Sequence, residues 1–163
     1  MSIVEGRAYT LRYAASEQAV KAPGGLYVSW SGKGEIVRTG VRRPGLVERQ
    51  SWWFVKANES GSWYILGETP GPEEPTFGQS PAKLGMSYGG VRNGEPIVLS
   101  SPSPFMIKSA GHDVYTLAPA PSSNAESIVA DIAIGISGEG EGAEVQIIGG
   151  EVKLPKWVIE PLA

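Results

Sequence analysis

The tripeptide Trp53-Phe54-Val55 recurs as Phe105-Met106-Ile107 and as Trp157-Val158-Ile159, and each copy starts 52 residues after the one before it (105 − 53 and 157 − 105). A second tripeptide accompanies the first throughout the chain, as Tyr9-Thr10-Leu11, Tyr64-Ile65-Leu66 and Tyr115-Thr116-Leu117. Periods of about 20 to 50 residues are typical of repeat architectures. Because only three copies are present, the pattern favours one closed domain with threefold pseudosymmetry over an open array.

The composition indicates many short strands. The chain of 163 residues contains 22 glycines and 13 prolines, so a turn signal falls in almost every stretch of ten residues. Apolar residues make up 41% of the chain, which is enough for a hydrophobic core in a single domain spanning residues 1–163. Short strands separated by Gly/Pro turns are typical of an all-β barrel or sandwich.

Each repeat divides into four short strands. In the first repeat, residues 8–13, 26–30 and 35–39 alternate, and residues 51–56 open the next unit. Hairpin turns are predicted at residues 30–34 and at Arg92-Asn93-Gly94-Glu95, since Asn-Gly readily supplies positive φ angles. The sequence therefore predicts a β-trefoil: twelve strands in three pseudo-repeats, forming a six-stranded barrel capped by hairpins. The repeated aromatic residues would lie in its core.

Several classes of protein are disfavoured. No segment approaches the roughly 20 consecutive apolar residues of a membrane span. The first residues do not combine a basic and an apolar region as a secretory signal does, and cysteine is absent, so we expect a cytoplasmic monomer. The net charge is −3, and the mild basic cluster of Arg38, Arg42, Arg43 and Arg49 is not the basic stripe that nucleic-acid binding needs.

Residues suited to catalysis are sparse. The single histidine, His112, lies in a turn, and without cysteine the chain has neither a Cys–His pair nor a multi-histidine metal site. A triad of serine, His112 and Asp113 or Asp131 would lack the Gly-x-Ser-x-Gly elbow. The glycine-rich segment 138–142 carries glutamates, which would repel phosphate. We therefore predict a protein that is not an enzyme and has no metal and no cofactor.

Sugar binding is an alternative. Ricin-like β-trefoil lectins carry a Gln-x-Trp element in each repeat, and Gln50-Ser51-Trp52 matches that element once. The corresponding stretches of the other two repeats are Ser103-Pro104-Phe105 and Leu154-Pro155-Lys156, and neither matches. A carbohydrate-binding lectin therefore remains a second interpretation of the sequence.

One segment resembles a known family. Lys21-Ala22-Pro23-Gly24-Gly25-Leu26-Tyr27-Val28 is similar to a segment of the mycocypins, the fungal β-trefoil protease inhibitors of clitocypin and macrocypin type. Other stretches resemble the same family in the same order along the chain: Glu5-Gly6-Arg7-Ala8-Tyr9, Trp52-Trp53-Phe54-Val55 with Trp63-Tyr64-Ile65, and Leu154-Pro155-Lys156-Trp157-Val158-Ile159.

The resemblance implies inhibition of papain-like cysteine proteases by two loops, here residues 19–25 and 41–48, in a role in fungal defence. Glycines allow a backbone to approach the walls of a cleft without a Cβ clash, and proline fixes the path of the chain into a turn. The residues that this implies for protease binding are Pro23, Gly24, Gly25, Leu26, Arg43, Pro44, Gly45 and Leu46.

A serine protease is the alternative target. Family members that inhibit legumain use an Asn in the loop after the fifth strand, and residues 67–85 contain none. Some relatives with a basic residue in that loop act on trypsin, and Lys83 lies there. Together with Lys33 and Arg43 it is a cation that could occupy the acidic specificity pocket of a trypsin-like enzyme.

Overall fold

Strands dominate the regular structure. In a computed structural model the chain is described for residues 3–14, 25–57, 61–68, 83–120, 132–138, 140–149 and 155–162. Within these ranges the strands are β1 (Ala8–Ala14), β2 (Tyr27–Ser29), β3 (Arg38–Gly40), β4 (Trp52–Lys56), β5 (Ser62–Leu66), β6 (Gly85–Ser87), β7 (Val98–Ser100), β8 (Phe105–Gly111), β9 (Val114–Pro119), β10 (Ile132–Ile136), β11 (Val145–Gly149) and β12 (Lys156–Pro161). Two 3-10 helices, Pro44–Leu46 and Glu48–Gln50, lie between β3 and β4.

Six of these strands close into an antiparallel barrel in the order β1–β4–β5–β8–β9–β12, with β12 pairing again with β1. The remaining strands form three hairpins, β2–β3, β6–β7 and β10–β11. This is the predicted β-trefoil, with its six-stranded barrel and three hairpins. Barrel closure leaves these six strands without the unpaired edge that an open sheet exposes.

A ring of three backbone hydrogen bonds joins the hairpins. The N–H of Val37 donates to the carbonyl of Ile97 (2.8 Å), Ile97 to Val145 (2.8 Å), and Val145 back to Val37 (2.9 Å). All three side chains are completely buried in the main core. Because each backbone group in the ring is satisfied by another hairpin, no hairpin can leave without exposing or orphaning polar groups of its neighbours.

Three turn glycines repeat the same symmetry. The N–H of Gly34, Gly94 and Gly142 donates over 2.7 Å to a carbonyl of the next hairpin, that of Leu99, Ile147 and Thr39 respectively. Their φ angles are 81°, 89° and 90°, a region in which residues with a Cβ are strained. The turn predicted at 92–95 is confirmed, since Glu95 N–H bonds the carbonyl of Arg92 (3.1 Å).

The register of the barrel corrects the repeat alignment in its second copy. Strand pairing places Tyr9 opposite Trp52, Trp63 opposite Phe105, and Tyr115 opposite Trp157. Trp52 and Trp63, rather than Trp53 and Tyr64, therefore occupy the repeated positions. A slip of one residue turns a side chain to the opposite face of a strand, and Trp52 is fully buried whereas Trp53 is only partly buried.

At two of the three repeated aromatic positions, an indole N–H donates a hydrogen bond to a backbone carbonyl of a hairpin strand. The indole N–H of Trp52 donates to the carbonyl of Val28 (3.0 Å), and that of Trp157 donates to Ile134 (2.8 Å). In the remaining repeat Phe105 has no donor, and the hydroxyl of Tyr88 bonds the carbonyl of Pro104 instead. Burial raises the pKa of Tyr88 to about 12. The Tyr88 ring also packs edge-to-face on Phe105.

The first hairpin has shorter strands than the sequence predicts. Continuous pairing in the first hairpin covers only Tyr27–Ser29 and Arg38–Gly40, because Ile36 bridges to Val98 of the neighbouring hairpin. The alternating apolar residues of segment 127–136 also predict a strand: residues 132–136 form β10, and residues 127–131 lie outside the described part of the chain. None of the helices among the described residues has the length and apolar character that a membrane-spanning helix needs.

Gly85 allows β5 and β6 to approach closely, so we expect Gly85→Ala to destabilise the protein. A Cβ at this position would overlap with the carbonyl oxygen of Ile65. Overpacking a core typically costs about 1–3 kcal/mol, and we expect the free energy of unfolding to fall by about 3 kcal/mol, measured by urea denaturation. Gly138→Ala is the control, because a Cβ there meets no atom within 4 Å. Equal unfolding midpoints for the two variants would contradict the packing argument.

Candidate functional site

The two loops implied by the resemblance meet at one end of the first hairpin. Strands β2 and β3 pair Tyr27 with Gly40 at that end. Gly25 and Leu26 lead directly into β2, and Val41 continues directly from β3. The described ends of loops 19–25 and 41–48 therefore lie side by side. Pro23 and Gly24 lie outside the described residues.

Gly25 is a position that requires glycine for the fold itself. Its φ angle is +122°, and a Cβ would come within 3.0 Å of Cδ of the buried Arg12. The next residue, Leu26, accepts a hydrogen bond at its carbonyl from Tyr13 N–H (2.9 Å), which holds this segment against β1. Gly25 thus has a structural role in addition to any role toward a partner.

The loop between β3 and β4 is not an open coil. Arg43 is extended, Pro44 occupies the start of the first 3-10 helix, and Val47 links it in a helical conformation to the second. Gln50 N–H bonds the carbonyl of Val47 (3.2 Å), which closes the second turn. Proline and two tight turns restrict this backbone before any partner arrives.

Gln50 clamps this loop onto β2. The side chain is 2% exposed, and its Nε2 donates to the carbonyl of Val41 (2.9 Å) and to Oγ of Ser29 (3.0 Å). Its Oε1 accepts from the N–H of Arg43 (3.3 Å). One buried amide therefore holds both the first residues of the loop and the strand beneath it, which fixes the position of the loop on the barrel.

Two arginines of the loop lie over aromatic rings. The guanidinium carbon of Arg42 is 5.9 Å from the centroid of the Tyr27 ring, and that of Arg49 is 5.6 Å from the Trp30 ring. The backbone N–H of Trp30 also donates to the carbonyl of Arg49 (3.0 Å). Cation–π contacts of this kind orient a guanidinium while leaving its N–H groups at the surface.

Two other arginines tie the loop region to the third repeat. Arg43 Nη2 lies 3.0 Å from Glu141 Oε1, and Arg38 Nη2 lies 3.5 Å from Glu144 Oε2. Arg38 also donates from Nη1 to the carbonyl of Gly142 (3.0 Å). Glu141 of the glycine-rich turn and Glu144 just after it therefore form ion pairs with basic residues of the first repeat. Each exposed pair adds little stability by itself.

The loop also exposes apolar side chains. Val41 is 38% exposed and Val47 is 40% exposed, and they are two of four large hydrophobic residues in the described part of the chain with this degree of exposure. Gly45, between them, has no atom within 4 Å of an added Cβ. Arginine and aromatic side chains beside exposed apolar groups are characteristic of protein–protein contact surfaces.

The alternative basic residues lie at different places. Lys33 is exposed in the turn of the β2–β3 hairpin, at the opposite end of that hairpin from Gly25 and Arg43. Lys83 is half-buried just before β6, and it corresponds to Gly25 by the pairing of the two repeats. The structure thus places Gly25 and Leu26 at the same end of the first hairpin as the start of the β3–β4 loop, and Lys33 at the opposite end.

The described residues also include His112 and the Gln-x-Trp element, which the sequence analysis considered for catalysis and for sugar binding. His112 lies at the tip of the β8–β9 hairpin with its side chain 88% exposed, and its Nε2 is 3.3 Å from Asp113 Oδ2. Trp52 of the Gln-x-Trp element is buried, and Gln50 is occupied by the clamp. This single lectin-like match therefore presents no free polar group to a sugar.

Sequence reasoning did not find the clamp or the stacked arginines. In the sequence, Gln50 stands out only as the first residue of a Gln-x-Trp element, and Arg42 and Arg49 only as members of a mild basic cluster. The signal available was a glutamine two residues before Trp52, the residue that opens β4. A lone polar residue at such a position does not reveal which backbone groups it satisfies.

Comparisons with known proteins support the fold. No family model matches this chain, and no curated protein matches it. A designed threefold-symmetric protein, ThreeFoil, has a TM-score of 0.67 at 14% identity, with 95% of this chain and 99% of that chain covered. A ricin B-like lectin of Macrolepiota procera in complex with lactose has a TM-score of 0.62 at 15% identity, with 98% and 99% covered.

A mosquitocidal holotoxin is a third similar structure, with a TM-score of 0.67 at 10% identity. The match covers 100% of this chain but only 18% of that chain. At such identities the likeness extends to the fold alone. The chain is a β-trefoil protein, and this fold supports both protease inhibitors and lectins, so the function depends on the residues that the loops carry.

The clamp predicts a measurable loss in Gln50→Ala. Removing this buried amide leaves the carbonyl of Val41 and the N–H of Arg43 without the partner of their partly buried hydrogen bonds, and losing the partner of a buried polar group costs about 1–3 kcal/mol. We expect the free energy of unfolding to fall by about 2–3 kcal/mol and hydrogen exchange of Arg43 N–H to accelerate.

Gln146→Ala is the matched control for this substitution. That side chain is half-buried and bonds the carboxylate of Glu144, so we expect a loss below about 1 kcal/mol. Slow exchange at Arg43 N–H in Gln50→Ala would show that the loop does not depend on the clamp.

Proposed function

We propose that this chain is a proteinaceous inhibitor of papain-like cysteine proteases, of mycocypin type, and that residues 19–25 and 41–48 occlude the active-site cleft. The observation that carries the proposal is the clamped β3–β4 loop, whose Gly45 is open to solvent and whose neighbours Val41 and Val47 are exposed. The similarity of residues 21–28 to the mycocypins supplies the class of target.

A clamped loop is suited to inhibition rather than to cleavage. A protease with an open cleft hydrolyses chains that can lie extended through its active site. The β3–β4 loop instead contains two 3-10 helices and is held by Gln50 to β2. Since the loop is ordered before binding, less conformational entropy is lost when it enters the cleft. Gly45 offers backbone without a Cβ at the surface.

The proposal is tested with Gly45→Trp. An added side chain at Gly45 meets no atom within 4 Å, so the fold should tolerate it, while the indole would obstruct approach to a protease cleft. We expect the inhibition constant for papain to rise at least about tenfold, equivalent to about 1.4 kcal/mol, measured by titrating residual papain activity at matched thermal stability.

Gly32→Trp is the matched control, because a Cβ there makes only an ordinary contact with Glu35 and the residue lies in the turn at the far end of the hairpin. Unchanged papain inhibition by Gly45→Trp would refute the loop mechanism. Parallel titrations of trypsin and legumain identify other targets. Selective loss of trypsin inhibition in Gly32→Trp and Lys33→Glu would assign the site to the hairpin turn instead.

Carbohydrate binding is a second candidate function. It is favoured by the similarity in fold to the ricin B-like lectin in complex with lactose. A sugar site would have to use residues other than Gln50 and Trp52, which are buried and hydrogen-bonded within the chain. Isothermal titration with lactose, followed by a glycan array, tests this function. Absence of binding in both experiments would remove it.

A further inference from the structure

Arg42 and Arg49 differ from the other arginines around the loop. Arg38 and Arg43 each have a carboxylate partner in the third repeat, and Arg92 has one in Glu95. Within the described residues, no carboxylate lies within ion-pair distance of Arg42 or Arg49. Both are exposed, so within the described part of the chain these two guanidinium groups have no ion-pair partner.

Stacking prepares these two guanidinium groups for a planar anionic partner. The Tyr27 ring lies beneath Arg42 and the Trp30 ring beneath Arg49, which limits the rotamers of both arginines. A guanidinium held by one face keeps N–H donors around its edge, and these match the two oxygens of a carboxylate. Ordering the side chain before binding reduces the entropy lost on contact.

The neighbouring side chains distinguish a protein from a sulfated glycan. Val41 directly precedes Arg42, Val47 lies two residues before Arg49, and both valines are exposed. Burying these apolar groups favours a protein surface, whereas a polyanionic sugar offers nothing to cover them. Glu48 is exposed between Val47 and Arg49 and offsets one of the two positive charges. Because the whole chain carries a net charge of −3, Arg42 and Arg49 can attract an acidic partner only locally, at the β3–β4 loop.

We propose that Arg42 and Arg49 are specificity-determining residues of the β3–β4 loop, which bind carboxylates on an acidic rim beside the cleft of the target protease. This inference rests on the proposed function and adds the chemical class of its partner. Among papain-like proteases, those with an acidic rim bind faster and more tightly than those with a basic rim, because rim charges act chiefly on the association rate.

The test measures association rate constants for two papain-like cysteine proteases, one with a net negative cleft rim and one with a net positive rim. Stopped-flow mixing at several NaCl concentrations gives the salt dependence of each rate. We expect the rate for the acidic-rim enzyme to fall about tenfold between low and high salt. In Arg42→Gln/Arg49→Gln it should be about tenfold lower at low salt and nearly independent of salt.

Arg92→Gln is the control for losing a positive charge outside the loop, because it neutralises an exposed arginine in the turn of the second hairpin. It should change neither rate. If both enzymes are inhibited and the double variant retains the rate and salt dependence of the parent chain, the assignment of Arg42 and Arg49 is wrong while the proposed function stands.

Two further outcomes overturn the inference in different ways. Absence of inhibition of every papain-like enzyme removes the proposed function and this inference together. Retention on a heparin column that requires both arginines, combined with unaffected protease binding in the double variant, would assign the pair to a sulfated glycan instead of an acidic protein.

Discussion

The closed ring of hydrogen bonds among Val37, Ile97 and Val145 is the constraint on which the rest of the molecule depends. Each of these residues lies in a different hairpin and is completely buried, so each hairpin satisfies polar backbone groups that the next would otherwise leave orphaned. The turn glycines repeat this arrangement one step further out. The threefold arrangement thus lets every hairpin satisfy buried backbone groups of another hairpin.

The same ring also determines where the β3–β4 loop lies on the barrel. Because the first hairpin is held at its turn by the ring, its other end, where Tyr27 pairs with Gly40, is presented away from the ring. Gln50 then transfers the rigidity of β2 to the β3–β4 loop through hydrogen bonds to Ser29 and Val41. The acidic turn of the third repeat adds a contact through Arg43. A loop without regular strand structure is therefore held from two sides.

The same scaffold explains why fold likeness alone does not assign a function. Similar structures include a designed protein and a lectin in complex with lactose, at 14% and 15% identity. What is particular to this chain is the chemistry of its loop: an open Gly45, exposed valines, and guanidinium groups stacked on Tyr27 and Trp30. Features of this kind are common at protein–protein interfaces, and they are the basis on which inhibition is proposed ahead of sugar binding.

The sequence by itself determined the β-trefoil, the approximate strands and the turn at Gly94, because side-chain alternation and turn chemistry are local properties. The repeat alignment read from the sequence is wrong by one residue in the second repeat. Trp52-Trp53 and Trp63-Tyr64 each contain two adjacent aromatic residues, and only strand pairing shows which of the two occupies the repeated position. Tertiary structure alone decided the use of Gln50, the stacking of Arg42 and Arg49, and the Arg43–Glu141 pair, whose partners are 98 residues apart. Such contacts depend on how the three repeats close, and no local pattern encodes them.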